Sequence, residues 1–268
     1  MKINLSGALQ SSTNVQVEAH WDPIADSTFN LHEASPIHAE LFDFSPSLPT
    51  KEHEADDFRV FLPSSAVEIG DVWQLESHEM VPFLRQFHSG ATTALHNGKE
   101  GAYACLRAIS NDYAEIVFRI HAELVLSSNA YEAWRIANSL NDDEGKSRYI
   151  LSQFAGHLLI NLKRRSVRAF SLYLPPRNSN VDIGAFDEVD MVFVPRMELL
   201  ASNTDDYNEI AWDYAITAEE ARKKLELNFY KFAEIDWLPI DEAVAQAEAI
   251  NLPVHAILVW GPLDDESC

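Results

Sequence analysis

The sequence predicts an α+β protein: a mainly antiparallel β domain, followed by helices and then the start of an α/β unit. Three observations carry this. Pairs of β-favouring runs joined by short polar turns fill residues 103–174, helix capping and helical apolar spacing take over after residue 217, and a run apolar at nearly every position follows at 254–260. Strands come first and helices later.

Residues 1–57 show little periodicity, and the stretch 45–57, rich in Ser, Pro, His and acids, reads as a loop or linker. Phe58-Arg59-Val60-Phe61-Leu62-Pro63 and Val67-Glu68-Ile69-Gly70-Asp71-Val72-Trp73 are short β-favouring runs punctuated by Pro and Gly, expected as strands or strand edges. Residues 103–109 and 114–126 flank Asn111-Asp112, two residues that tolerate left-handed backbone, and so predict a hairpin. In its second arm Phe118, Ile120, Ala122 and Leu124 share a core face, and Arg119, His121 and Glu123 share a polar one. A second pair runs over 154–162 and 167–174 around the basic turn Lys163-Arg164-Arg165-Ser166, closed by Pro175-Pro176. Met191-Val192-Phe193-Val194 and Met197-Glu198-Leu199-Leu200 add two strands, and a helix is expected over 129–140. Residues 58–201 should therefore form a curved sheet or barrel.

Thr217 and Glu220 have the spacing of a capping box, and Ala221, Leu225, Phe229 and Phe232 recur at helical intervals behind them. A second helix starts after Pro239, with Ile240, Ala243, Val244, Ala247 and Ile250 on one face, and ends before Pro253. Val254-His255-Ala256-Ile257-Leu258-Val259-Trp260 then reads as a strand covered on both faces.

Composition removes several function classes. With 20 Lys and Arg against 42 Asp and Glu, the net charge is −22, which repels nucleic-acid phosphates and anionic lipid. The opening Met1-Lys2-Ile3-Asn4-Leu5 lacks the basic start and apolar run of a signal peptide, and no apolar stretch approaches the ~18 residues of a membrane span. A soluble, cytoplasmic protein is expected. No Gly-rich phosphate loop, GxSxG or HExxH occurs, and no cofactor is expected. The ten histidines show no ligand spacing, so His121, with Glu123 beside it, and His157 are read as surface or satisfied polar groups rather than metal ligands. Trp73, Trp134, Trp212, Trp237 and Trp260 are expected in the core or at interfaces. The two cysteines, Cys105 and Cys268, are too few and too far apart for a disulfide framework. Cys105 reads as a small buried residue on a strand.

Cys268 follows Gly261-Pro262-Leu263-Asp264-Asp265-Glu266-Ser267, just past a strand end, where a helix would begin. Thioredoxin-like folds hold their redox pair at such a point, because free N–H groups and the helix dipole stabilise a thiolate. By the residues alone Cys268 is a lone thiol, and Asp264, Asp265 and Glu266 would raise its pKa.

Leu238-Pro239-Ile240-Asp241-Glu242-Ala243 and the block from Pro253 through Trp260-Gly261-Pro262-Leu263-Asp264-Asp265-Glu266-Ser267-Cys268 resemble the selenoprotein N family. The likeness extends to Phe118-Arg119-Ile120-His121-Ala122-Glu123, Gln153-Phe154-Ala155-Gly156-His157 and Pro195-Arg196-Met197-Glu198-Leu199, is weaker over 61–73, and leaves residues 1–57 outside. The family continues Ser-Cys with selenocysteine and glycine, a motif similar to the C-terminal redox pair of thioredoxin reductase. The resemblance implies a thioredoxin-like module truncated at its redox loop and a thiol–disulfide oxidoreductase. Ser267 and Cys268 would open its motif, Cys268 as resolving thiol and the missing selenocysteine as nucleophile. It implies a disulfide-containing protein or small thiol as substrate, whereas the charge and the lack of an apolar span give no nucleic-acid or membrane partner; a possible homo-oligomer completes the expectation. Vertebrate members are membrane glycoproteins with a calcium-binding EF-hand, whereas Asn141-Asp142-Asp143-Glu144-Gly145 has the wrong ligand spacing, so the resemblance is to a soluble, bacterial-type member. The expected division is an N-terminal segment 1–57, a β-rich domain 58–210, a connecting helix 211–235 and a partial thioredoxin-like domain 236–268. Two alternatives stand beside the enzyme: a redox-linked binding or regulatory protein whose β-rich domain contacts a partner, and a catalytically inert fragment.

Overall fold

Antiparallel pairing of long β runs dominates the chain, as a computed structural model shows. The structure describes residues 2–10, 14–22, 26–27, 46–93, 95–96, 99–126, 147–175, 180–185, 188–202, 210–230, 234–235 and 237–256. Its strands are β1 (Asn14–Trp21), β2 (Asp26–Ser27), β3 (Thr50–Glu54), β4 (Val72–Gln74), β5 (Ala91–Thr93), β6 (Leu95–His96), β7 (Lys99–Glu100), β8 (Ala102–Ile109), β9 (Tyr113–Leu126), β10 (Ser147–Asn161), β11 (Ser166–Tyr173), β12 (Asn180–Ala185), β13 (Glu188–Phe193), β14 (Met197–Ser202) and β15 (Tyr214–Ala215). The helices among the described residues are a 3₁₀ helix (Ala55–Phe61), α1 (Ser77–Phe87), α2 (Ala218–Glu226) and α3 (Ile240–Ile250). The protein is α+β with β-rich character.

The main path of the sheet runs β15-β8-β9-β10-β11-β14-β1-β3, with every pairing antiparallel. The hairpins expected at 103–126 and 154–174 are β8–β9 and β10–β11, and the basic turn of the second carries Arg165 in left-handed backbone (φ 52°). All three strands drawn from the first 57 residues belong to this sheet, β1 sitting between β14 and β3, and β2 pairing with β13.

One face of the sheet holds the core. Phe118, Ile120, Ala122 and Leu124 of β9 are buried there, as their alternation requires, with Phe154 and Leu158 of β10 and Phe170 and Leu172 of β11. The 3₁₀ helix and α1 cover this face with phenylalanines: Phe61 lies 4.3 Å from Phe118, Phe83 5.3 Å from Phe170, and Phe87 stacks on Phe154 at 5.3 Å between centroids. Glycine is required at 156 by this packing, since a Cβ there would lie 2.2 Å from the Ser171 carbonyl oxygen and 2.4 Å from the Phe118 ring.

Several sequence expectations are corrected. The run 58–63 is not a strand: Phe58 and Phe61 close a 3₁₀ helix whose first turn is fixed by a reciprocal Glu54–Asp57 capping box. A three-residue turn puts Phe58 and Phe61 on one buried face, a need that alternation would not meet. Of the run 67–73, only Val72 and Trp73 enter strand β4; Val67 makes an isolated bridge to Ile3, and Gly70 takes a positive φ of 84°. Nor is 45–57 merely a linker. His53 in β3 is fully buried, stacked on Phe83 at 4.5 Å with its Nε2 3.4 Å from the Gln86 side-chain Oε1, while the Gln86 Nε2 donates to the Val17 backbone carbonyl at 2.9 Å. The expected helix 129–140 and the acidic stretch 141–145 lie outside the described residues.

Candidate functional site

Ser267 and Cys268, the residues expected to open the redox motif, lie outside the described residues, as do Asp264, Asp265 and Glu266. The chain leading to them is described through residue 256. Helix α3 starts after Pro239 and ends at Asn251 in left-handed backbone (φ 54°), matching its expected limits. None of its residues is buried, and Ile240, Val244 and Ile250 are 57%, 40% and 64% exposed. Residues 252–256 have no regular structure, so the described part of the expected strand 254–260 is not one; the rest lies outside. Cys105 is a structural thiol. It is fully buried on β8 against Ala221 and Leu225 of α2, and burial pushes its pKa up to about 11.

The outer face of the sheet, read from the sequence as polar, is not given over to water. Helix α2 and the turn behind it lie across β8 and β9, because the Thr217–Glu220 box starts the helix and Leu227 ends it. Phe229, expected to continue the helical stripe, lies beyond the helix end and turns back onto the sheet, where its ring stacks on His121 at 4.0 Å. Arg119 and His121 are therefore buried. The Arg119 Nε–H donates to His121 Nε2 at 2.9 Å, which requires an unprotonated Nε2, and its guanidinium lies 4.9 Å from the Phe229 centroid and 5.2 Å from that of Tyr230.

Between α2 and strands β8 to β11 this packing leaves a cleft of about 740 Å³. Val117, Ala155, His157 and Tyr173 line it from the sheet, and Arg222 and Leu225 from the helix. Two bulges re-aim side chains into it. The register of β8 against β9 slips between Leu106 and Ala108, releasing Arg107, and that of β10 against β9 slips between Leu151 and Phe154, releasing Gln153.

Arg119 also lines the cleft, engaged by His121 and the Phe229 and Tyr230 rings, and the cleft's other two arginines are matched by carboxylates. Arg107 pairs with Glu115 through both Nε and Nη2, and its Nη1 donates to the Ile216 carbonyl at 3.3 Å, tying β8 to the approach to α2. Burial raises the Glu115 pKa, and the Arg107 hydrogen bond and charge only partly offset that rise. Arg222 donates to Glu219 at 2.6 and 3.0 Å and to Glu226 at 2.7 Å. Ser171 Oγ lies 2.9 Å from His157 Nδ1, and burial, helped by the Arg107 charge, lowers the His157 pKa to about 4. Its imidazole is neutral at physiological pH. Among the described residues no three His, Cys, Asp or Glu side chains gather in a metal-ligating group, and no helix is long and apolar enough to cross a membrane.

Alternation marked neither Arg107 nor Gln153 as a cleft residue, because a bulge breaks the two-residue rhythm that assigns faces, although Gln153 opens one of the blocks of family resemblance. Arg222 was accessible from the Glu219, Arg222, Glu226 spacing, and Glu115 from its parity with Val117 and Arg119.

No protein-family model and no solved structure matches the chain. It is similar to selenoprotein N of Homo sapiens, 30% identical over 324 residues that cover 96% of this chain and 52% of that protein. The Danio rerio selenoprotein N is 30% identical over 83% of this chain and 48% of that protein, and the Mus musculus one 30% over 82% and 48%. The chain spans about half the length of these curated relatives. Coverage of 96% takes in most of residues 1–57, which corrects the expectation that the likeness begins near Phe58. These matches show that the chain belongs to the selenoprotein N family.

Proposed function

We propose that this chain is the part of a thiol–disulfide oxidoreductase that carries the resolving cysteine, Cys268, in a thioredoxin-like module whose nucleophile is a selenocysteine following it. The observation that carries the reading is the family match over 96% of the chain, joined to the resemblance of Gly261-Pro262-Leu263-Asp264-Asp265-Glu266-Ser267-Cys268 to that family's redox motif. In the proposed cycle a selenolate attacks a substrate disulfide, forming an Se–S bond and releasing one substrate thiolate. The Cys268 thiolate then attacks selenium and releases the second. The substrate gains two electrons, the Cys268–selenocysteine pair loses them, and an external dithiol restores the pair. Selenium, the more acidic and nucleophilic partner, tolerates the neighbouring acids better than a cysteine thiol would.

The exposed apolar face of α3 supports the reading. Ile240, Val244 and Ile250 make a stripe at helical spacing that an α/β module would cover with its sheet. The proposed substrate is a protein disulfide or a small-molecule disulfide, and the proposed setting is soluble and cytoplasmic.

A form of the protein continuing past residue 268 with selenocysteine is expected to reduce a model protein disulfide with dithiothreitol as electron source. Cys268→Ser is expected to lower steady-state turnover by at least a hundredfold. Turnover unchanged by Cys268→Ser rejects the assignment.

A further inference from the structure

The cleft under α2 has a wall group that the protein itself leaves unsatisfied. Gln153 is only 4% exposed, and its Oε1 is buried with no hydrogen-bond partner. An orphan acceptor of this kind costs stability, and the cost is relieved when a donor reaches it. Gln153 is in the cleft wall because of the β10 bulge, where residues 152 and 153 both face the single position His121 of β9. Oε1 is itself buried, and because the terminal torsion of a glutamine is broad, rotation of the amide turns it toward a ligand in the cleft.

The remaining polar groups say what kind of ligand. Three arginines line the cleft: Arg107 is held by Glu115 and the Ile216 carbonyl, Arg222 by Glu219 and Glu226, and Arg119 by His121 Nε2 and the faces of Phe229 and Tyr230, so the three guanidiniums are balanced by three carboxylates and all are engaged within the protein. His157 is neutral and bonded to Ser171, and burial keeps the Tyr173 phenol protonated. Val117, Ala155 and Leu225 supply apolar contact. A volume of about 740 Å³ lies within the range of small-molecule sites.

We propose that this cleft binds an uncharged, largely apolar small molecule that presents one N–H or O–H donor to Gln153. The inference is independent of the redox reading. It rests on the cleft between α2 and β8 to β11, whose described lining does not include Cys105.

The test uses 2-naphthol as the probe, with 2-methoxynaphthalene as its donorless counterpart and 2-naphthoate as its charged one, titrated by fluorescence into the full chain. The expected result is saturable binding of 2-naphthol at one site, with roughly tenfold weaker binding of the methoxy compound, the size expected for one buried acceptor left unpaired. Gln153→Met keeps the side-chain length without the amide, and is expected to bring the two affinities together. Gln153→Leu serves the same purpose if the methionine variant does not fold. No saturable binding of 2-naphthol, equal affinity for the two neutral probes in the wild-type protein, a difference that survives the Gln153 substitution, or tighter binding of 2-naphthoate than of 2-naphthol would each overturn the proposal.

Discussion

His157 shows how burial converts an ordinary side chain into a pH-dependent part of the fold. Its pKa falls from 6.5 to about 4 because desolvation penalises the imidazolium, with a further push from Arg107. An unfolded chain binds the proton near pH 6.5, and the folded one only near 4. Stability from the neutral ring is therefore complete above about pH 6.5 and lost as pH falls through that window toward 4. The full swing is at most about 3 kcal/mol. Burial lowers the His53 and His88 pKa values as well, so both add to the same acid-side loss. Urea denaturation should show the pH 7 to pH 4.5 loss reduced, though not abolished, by His157→Gln. An unchanged slope would mean that the imidazole titrates normally in the fold. At this scale the sequence was legible wherever alternation was unbroken: Phe118 and Ile120 went to the core as expected. It failed where cover came from elsewhere, since nothing local to Arg119 or His121 announces that Phe229 will close over them.

Among the elements, α2 holds the outer layer together. Thr217 Oγ1 accepts from the Glu220 backbone N–H at 3.1 Å, and the Glu220 carboxylate accepts from the Thr217 backbone N–H at 2.8 Å. That reciprocal pair was readable from the spacing alone, because a cap is a local device. Thr217→Ala should cost about 1 kcal/mol of unfolding free energy, visible as a lower urea midpoint with unchanged m-value. No change in midpoint would show that tertiary contacts alone set the start of α2. The 3₁₀ helix was less legible, because aromatic and β-branched residues suit a strand by propensity and only the seat beneath Phe83 and Phe118 makes a tight helix the better burial. Helix α1 went unanticipated, although Met80, Phe83, Leu84 and Phe87 recur at helical spacing and are all buried.

For the molecule as a whole, the sequence predicted the class but not the order of the sheet. Neighbouring hairpins are local, whereas β1 pairs with β14 across most of the chain and with β3 on its other side, and no residue pattern encodes those partners. What the sequence carried furthest was the family, and with it the expectation for Cys268. The thiol proposed to react and the cleft proposed to bind are argued from different observations. Cys105 stays out of both, buried with its thiol pKa near 11. The most direct test of the central claim is mass spectrometry of the selenocysteine-containing protein after brief exposure to a small disulfide substrate. If Cys268 resolves the mixed species, Cys268→Ser should accumulate a substrate adduct on selenium, and the wild type should show instead an internal bond between Cys268 and selenocysteine. No adduct in the variant, or the same adduct level in both proteins, would contradict a resolving role for Cys268.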